Sequence, residues 1–206
     1  MNIVGEVLVI AVGIGLWRFF ATRRGSALPK GAASATEERR EPGQQFGAMI
    51  CTLGDVIVRR LDHDEAWLAG ALVFSESLPI AALFVAPELR QDRAVFVRAA
   101  ARELAWLAPV VKTVDAPGGE PPRSIEHDGL RFRRHLRHPV HVEQVGTGAP
   151  VVGDRAVVAE YVGAGADRML VVAGTQATLA WCGVVVPDGG YDVLPGPTRR
   201  RADGPD

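Results

Sequence analysis

Between Phe46 and Leu194 the apolar residues arrive in short runs, each closed by residues that turn the chain. Phe46 to Leu53 leads to Gly54-Asp55, Val56 to Arg60 stops at Asp62-His63-Asp64, Trp67 to Phe74 at Ser75-Glu76-Ser77, and Ile80 to Val85 at Pro87. Further on, Val157 to Val162 and Met169 to Ala173 flank Gly163-Ala164-Gly165-Ala166-Asp167, a glycine-containing hairpin signal. Thr178 to Val186 precedes Pro187-Asp188-Gly189-Gly190, and Tyr191 to Leu194 closes the set. Runs of this length, rich in Val, Ile, Phe and Trp, read as strands. Their spacing of about ten residues predicts a mainly β body, an antiparallel sandwich or a partly open barrel.

One stretch is mixed. Arg93 to Arg98 reads as a strand, whereas Ala99-Ala100-Ala101 and Arg102-Glu103-Leu104 have good helix propensity. The expectation for Gln91 to Leu107 is a strand followed by a short helical or irregular turn. The cluster Pro117-Gly118-Gly119-Glu120-Pro121-Pro122 divides the body into two halves, each expected to carry one sheet of a single core.

The chain opens differently. Ile3 to Thr22 is almost wholly apolar, and at 1.5 Å per helical residue it spans roughly 30 Å, the thickness of a hydrocarbon core. Glu6 sits one turn in, and Arg18 can snorkel to headgroups beside Trp17. A cleaved signal peptide would carry positive charge before the apolar run and a small-residue site just after it. Here no Lys or Arg precedes the run, and Ala33-Ser34-Ala35 lies too far downstream. The reading is therefore one N-terminal transmembrane helix (residues 1–22). Arg18 sits near its far end and Arg23, Arg24 and Lys30 follow it, which places the carboxyl-terminal bulk on the cytoplasmic side of a cell membrane.

Residues 23–45 alternate Arg, Gly, Ser, Ala, Pro, Glu and Gln without an apolar period and are expected to form a flexible tether. Residues 197–206, with Arg199-Arg200-Arg201, are expected to be a disordered tail, leaving 46–196 as the β-rich domain. A net charge of −1 argues against nucleic-acid binding. Two cysteines, Cys51 and Cys182, are too few for a secreted disulfide framework and read as buried free thiols.

The chemistry-bearing residues give few patterns. His135, His138 and His141 recur every third residue with Pro139 among them, so a helix is excluded and a strand divides them between faces. That spacing does not gather three ligands on one metal, and no metal or cofactor is expected. Arg131, Arg133, His135 and Arg137 alternate along Leu130 to Val140 and are expected to line one strand face, although Arg134 breaks the alternation. Leu130, Phe132 and Leu136 are then expected to face the core. Such a face suits anionic headgroups, phosphates or an acidic partner, and it equally suits an edge strand guarded by charge. Glu160-Tyr161 stands inside an apolar strand, where the carboxylate either meets a buried arginine or alternates outward. Ser75 and Ser124 lack a nucleophile elbow, Gly146-Thr147-Gly148 reads as a turn, and no catalytic residue is identified. Trp67, Trp106 and Trp181 each stand in an apolar run and are assigned to core or hairpin packing.

Several of these residues together resemble the domain of unknown function 4178 family: Gly54-Asp55-Val56-Ile57, the Trp-Leu pairs, Ile125-Glu126-His127-Asp128-Gly129-Leu130-Arg131-Phe132, Glu160-Tyr161 and Trp181-Cys182-Gly183. The similarity covers about 48 to 196, and the Ala-rich stretch Ala99 to Ala101 departs from it. The resemblance implies a β-rich domain without an assigned activity, serving as an accessory in a membrane-associated modification or stress system.

The functional expectation is a membrane-anchored cytoplasmic β-domain acting as a binding or assembly module. Its partners would be the bilayer through residues 3–22 and a membrane protein or an anionic lipid surface through Arg131, Arg133, His135 and Arg137. One alternative is a small-ligand-binding or enzymatic domain with a pocket between its two halves at Glu160 and Tyr161. Another is a structural subunit of a membrane complex, packed through Gly5, Gly13 and Gly15.

Overall fold

A computed structural model describes residues 46–87, 92–111, 114–116 and 119–196. The proposed anchor, tether and tail lie outside the described residues, and among the described residues no helix is long and apolar enough to cross a membrane.

Twelve strands run through the described residues: β1 (Val56–Arg59), β2 (Glu65–Trp67), β3 (Gly70–Ser75), β4 (Pro79–Ala86), β5 (Arg93–Arg98), β6 (Leu104–Pro109), β7 (Ser124–His127), β8 (Leu130–Gly146), β9 (Arg155–Val162), β10 (Asp167–Gly174), β11 (Thr178–Val186) and β12 (Tyr191–Leu194). The order β3-β4-β5-β6-β11-β10-β9-β8 returns to β3, because β8 pairs with β9 along its first part and with β3 along its last. The result is a closed, eight-stranded antiparallel barrel, with β7 added as a hairpin on the outer end of β8. A separate three-stranded sheet, β12-β1-β2, lies beside it. Closure removes the free edges that an open sheet exposes.

Alternation sets what each face does. Leu72, Phe74, Leu83, Phe96, Leu107, Leu170 and Trp181 point inward from six strands and pack the barrel interior. On the outside, Val73, Phe84, Val95 and Trp106 of β3 to β6 form a second apolar face. The small sheet covers that face with Ile57 and Ala66, helped by Phe46, Met49 and Cys51. A third cluster, Phe132, Ala159, Tyr161, Met169 and Val171, coats the outside of β8 to β10 beneath Val110, Val114 and Ile125.

The two ends of the domain are tied by one buried side chain. Asp55 Oδ2 accepts the Thr52 backbone N–H at 2.9 Å, and Oδ1 accepts the Gly196 backbone N–H at 2.9 Å. Gly196 packs so closely on the chain at Gly54 that a Cβ there would lie 2.4 Å from the Gly54 carbonyl oxygen.

Several sequence expectations change. The barrel is fully closed, and both halves of the chain contribute strands to one continuous sheet instead of one sheet each. Phe46 to Leu53 forms no strand; it crosses the outer face as irregular chain, with Gly47 in the left-handed region. Trp67 to Phe74 is not one run but two strands in different sheets, broken at Leu68-Ala69. The stretch after β5 keeps the expected form: Ala99 to Glu103 is an irregular turn, in which Ala100 adopts φ 61° and β6 comes back against β5. Long-range pairing overrides local propensity there.

Candidate functional site at one barrel mouth

Glu160 is carried by β9 with its side chain turned into the barrel. Its cross-strand neighbours are Leu170 on β10 and Leu136 on β8, so the carboxylate sits between apolar side chains. Arg98 ends β5 on the same rim, and its Nη2 lies 3.0 Å from Glu160 Oε2. The Glu160 side chain is 16% exposed and that of Arg98 42%, so the pair closes the mouth from within. A cavity of about 40 Å³ lies beneath, walled by Phe96, Ala105, Leu107, Leu170 and Val185. It has room for one or two waters. Arg168 lines the same cavity, with its guanidinium turned to the Gly165 and Asp167 carbonyls.

Burial raises the Glu160 carboxyl above the ordinary carboxylate range; Arg98, His138 and His135 oppose the shift without cancelling it. The mouth therefore holds a carboxylate with a raised proton affinity paired with a partly exposed guanidinium. That arrangement can exchange a proton or receive a charged group in place of one partner. The cavity walls come from β5 and β6 in the first half and β9 to β11 in the second.

Tyr161 does not share this chemistry. Its main chain contributes to the cavity wall, but its side chain lies on the opposite face and its hydroxyl donates to the Pro122 carbonyl at 2.7 Å. Burial pushes its phenol up to about 12.

The basic strand face is not one face. A register shift between Arg134 and Leu136 inserts an extra residue into β8. Before it, Arg131 stands opposite Glu126 and Arg133 opposite Ser124. Arg134, the last residue before it (opposite Tyr161), and Arg137, after it (opposite Ala159), share the outer face, while Arg131 and Arg133 occupy the other. Arg134 and Arg137 both grip Glu120: Arg134 Nη1 donates to Oε1 at 2.6 Å, and Arg137 Nη2 to Oε2 at 2.7 Å. Arg134 also donates to the Pro121 carbonyl. Together with the Tyr161 bond, these contacts strap the segment 119–123 across the barrel. Glu120 is held below the usual carboxylate range by Arg137 and Arg134. His135 remains exposed at the bulge, Leu130 is exposed instead of core-facing, and Phe132 is buried as expected.

Tryptophan placement divides as well. Trp106 and Trp181 are buried, and Arg59 stacks 5.2 Å over the Trp106 ring. Trp67 is instead 59% exposed. It stands on the outer face of the small sheet, opposite Val56, which stands opposite Leu194, itself 49% exposed. The next row on that face is Asp192, Val58 and Glu65. Cys51 is fully buried, and burial raises the half-buried Cys182 thiol.

Sequence reasoning missed Arg98 and Glu120 as functional partners. Arg98 reads only as the end of a strand, and Glu120 only as part of a Pro/Gly break; their partners are 62 and 14 to 17 residues away. Comparison with family models, with curated proteins and with solved structures gives no match to this chain, so the resemblance to the domain of unknown function 4178 family carries no family assignment.

Proposed function

We propose that this chain is a binding and assembly module, held at the cytoplasmic side of a membrane by residues 3–22, and that it grips a membrane-protein partner through the outer face of its small sheet. The observation that carries the reading is the cross-strand row Leu194–Val56–Trp67. A tryptophan 59% exposed beside two aliphatic side chains on adjacent strands is the composition of an interface centre. The neighbouring row adds negative charge at Glu65, with Asp192 beside it paired to Arg60, which suits a partner whose apolar patch is flanked by Lys or Arg. A 23–45 tether would give the domain a reach of a few tens of Å from the bilayer. The accessory role implied by the family resemblance belongs to the same proposal. The Arg131 to Arg137 segment is the weaker surface, because Arg134 and Arg137 are engaged by Glu120.

The test is co-purification of membrane proteins with the full-length chain in mild detergent, comparing wild type with Trp67→Glu/Leu194→Glu. The exposed positions leave the thermal midpoint unchanged, while the partner is lost. A partner retained by the double variant overturns the assignment of this face.

A second reading has its own support. The Arg98–Glu160 mouth lies between the two halves, and its raised carboxyl is the kind of perturbed group that marks ligand sites. A ligand there would displace the Arg98 guanidinium, and Arg98→Ala would enlarge the site.

A further inference from the structure

The strand register brings together four polar side chains that lie far apart in the sequence. Ser75 on β3 stands directly opposite His141 on β8, and His141 stands directly opposite Arg155 on β9. Thr175, whose backbone N–H donates to the Arg155 carbonyl at 3.3 Å, follows β10 and extends the row. Directly opposed residues on neighbouring strands have Cβ atoms about 5 Å apart, so adjacent members can contact one small ligand. All four line a groove of about 880 Å³ on the outside of the barrel. Its floor is the next row of the same strands, Pro139, Val157 and Ala173, which is apolar.

The polar row is unengaged. Among the described residues, none of these four side chains has a hydrogen-bond or ion-pair partner, in contrast to Arg59, Arg60, Arg93, Arg98, Arg134 and Arg137, each of which meets a carboxylate. Glu76 lies at the corner of the groove, with His138 Nδ1 3.6 Å from its Oε1.

We propose that this groove binds a phosphate monoester: the oxyanion on Arg155 and His141, flanked by the Ser75 and Thr175 hydroxyls, and the carbon body along Pro139–Val157–Ala173. A guanidinium offers paired N–H donors that match two phosphate oxygens, and hydroxyls complete the shell. The apolar strip gives the organic part of the ligand a surface that inorganic phosphate alone would not use. The row also accounts for the histidine triplet in the sequence: His141 belongs to this groove, while His138 turns to Glu76 and His135 stands at the bulge.

The experiment is calorimetric titration of the full-length protein in zwitterionic detergent with phenyl phosphate, inorganic phosphate and soluble short-chain phosphatidic acid. Phenyl phosphate is expected to bind at least about tenfold more tightly than inorganic phosphate, and Arg155→Met and His141→Gln each to weaken it by about tenfold or more. Thr175→Val gives a smaller loss. Both basic positions are exposed, so each variant should keep the wild-type thermal midpoint without ligand. Tighter binding of phosphatidic acid than of phenyl phosphate identifies a lipid headgroup as the source, and the reverse identifies a free metabolite. Equal affinity of wild type and Arg155→Met, or no heat with any of the three probes, overturns the proposal.

Discussion

Replacing Arg98 by Met tests the barrel mouth quantitatively. The change keeps most of the aliphatic stem and removes the charge, leaving the Glu160 carboxylate between Leu136 and Leu170 with its partner gone. Breaking a deeply buried pair costs about 3–5 kcal/mol, and an exposed pair is worth about 0–1 kcal/mol. With side-chain exposures of 16% and 42%, this pair falls between, and a loss of about 1–3 kcal/mol at neutral pH is expected. The pH dependence gives the sharper signature. A carboxyl whose native pKa is raised binds its proton more tightly folded than unfolded. It carries no penalty at a pH low enough to protonate both states. The penalty grows as pH rises through the unfolded value, and it is complete above the native one, at about 1.4 kcal/mol per unit of elevation. Arg98→Met removes a contribution that lowers the Glu160 value, so the falling limb extends to higher pH. Glu160→Gln removes the limb and is expected to match or exceed wild-type stability at pH 8. Asp62, Glu120 and Asp192, held low by Arg59, by Arg137 with Arg134, and by Arg60, act in the opposite sense: their stabilisation is lost on acidification. The reading is therefore the difference between each variant and wild type, from urea unfolding of the full-length protein in detergent at pH 4.5 to 8. Identical pH profiles for wild type and Arg98→Met would refute the placement of Glu160, as would a Glu160→Gln variant well below wild type at pH 8.

Two further substitutions probe the frame. Asp55→Ala leaves the Thr52 and Gly196 backbone N–H groups without this acceptor; at about 1–3 kcal/mol per orphaned donor, a loss of about 2–6 kcal/mol is expected, with Asp55→Asn milder. Unfolding midpoints in urea check it. Gly183→Ala would set a Cβ 2.0 Å from the Trp106 carbonyl oxygen, so the β6–β11 pairing must spread; a stability loss of about 1–3 kcal/mol, seen as an earlier thermal transition, is expected, and amide exchange should quicken at Leu107 and at position 183 before other strand positions.

Strand existence was largely legible in the sequence because turn residues punctuate it. Thr178 to Val186 and Tyr191 to Leu194 coincide with β11 and β12, and the hairpin at Gly163 to Asp167 joins β9 to β10. Closure was not legible, because it depends on β8 serving two neighbours, which no local pattern encodes. The face assignments of Arg131 to Arg137 failed for a related reason. Alternation holds only while register is unbroken, and the irregularity at Arg134 to Leu136 reverses it; the break in the pattern at Arg134 was the visible trace. Glu160 could be recognised as anomalous within an apolar strand, but its partner Arg98 could be found only from the barrel's circumference. Trp67 was misplaced because a short apolar run looks alike whether it is covered or bare.

The tie from Asp55 to Gly196 links positions 141 residues apart, and β12 sits beside β1. During synthesis β1 must therefore wait for β12. Until translation passes Gly196, the patch of Val73, Phe84, Val95 and Trp106 lacks its finished lid, and a nascent chain stalled before Tyr191 would present that patch to chaperones and proteases. A chain cut short of Gly196 thus advertises its own truncation through an unsealed apolar face.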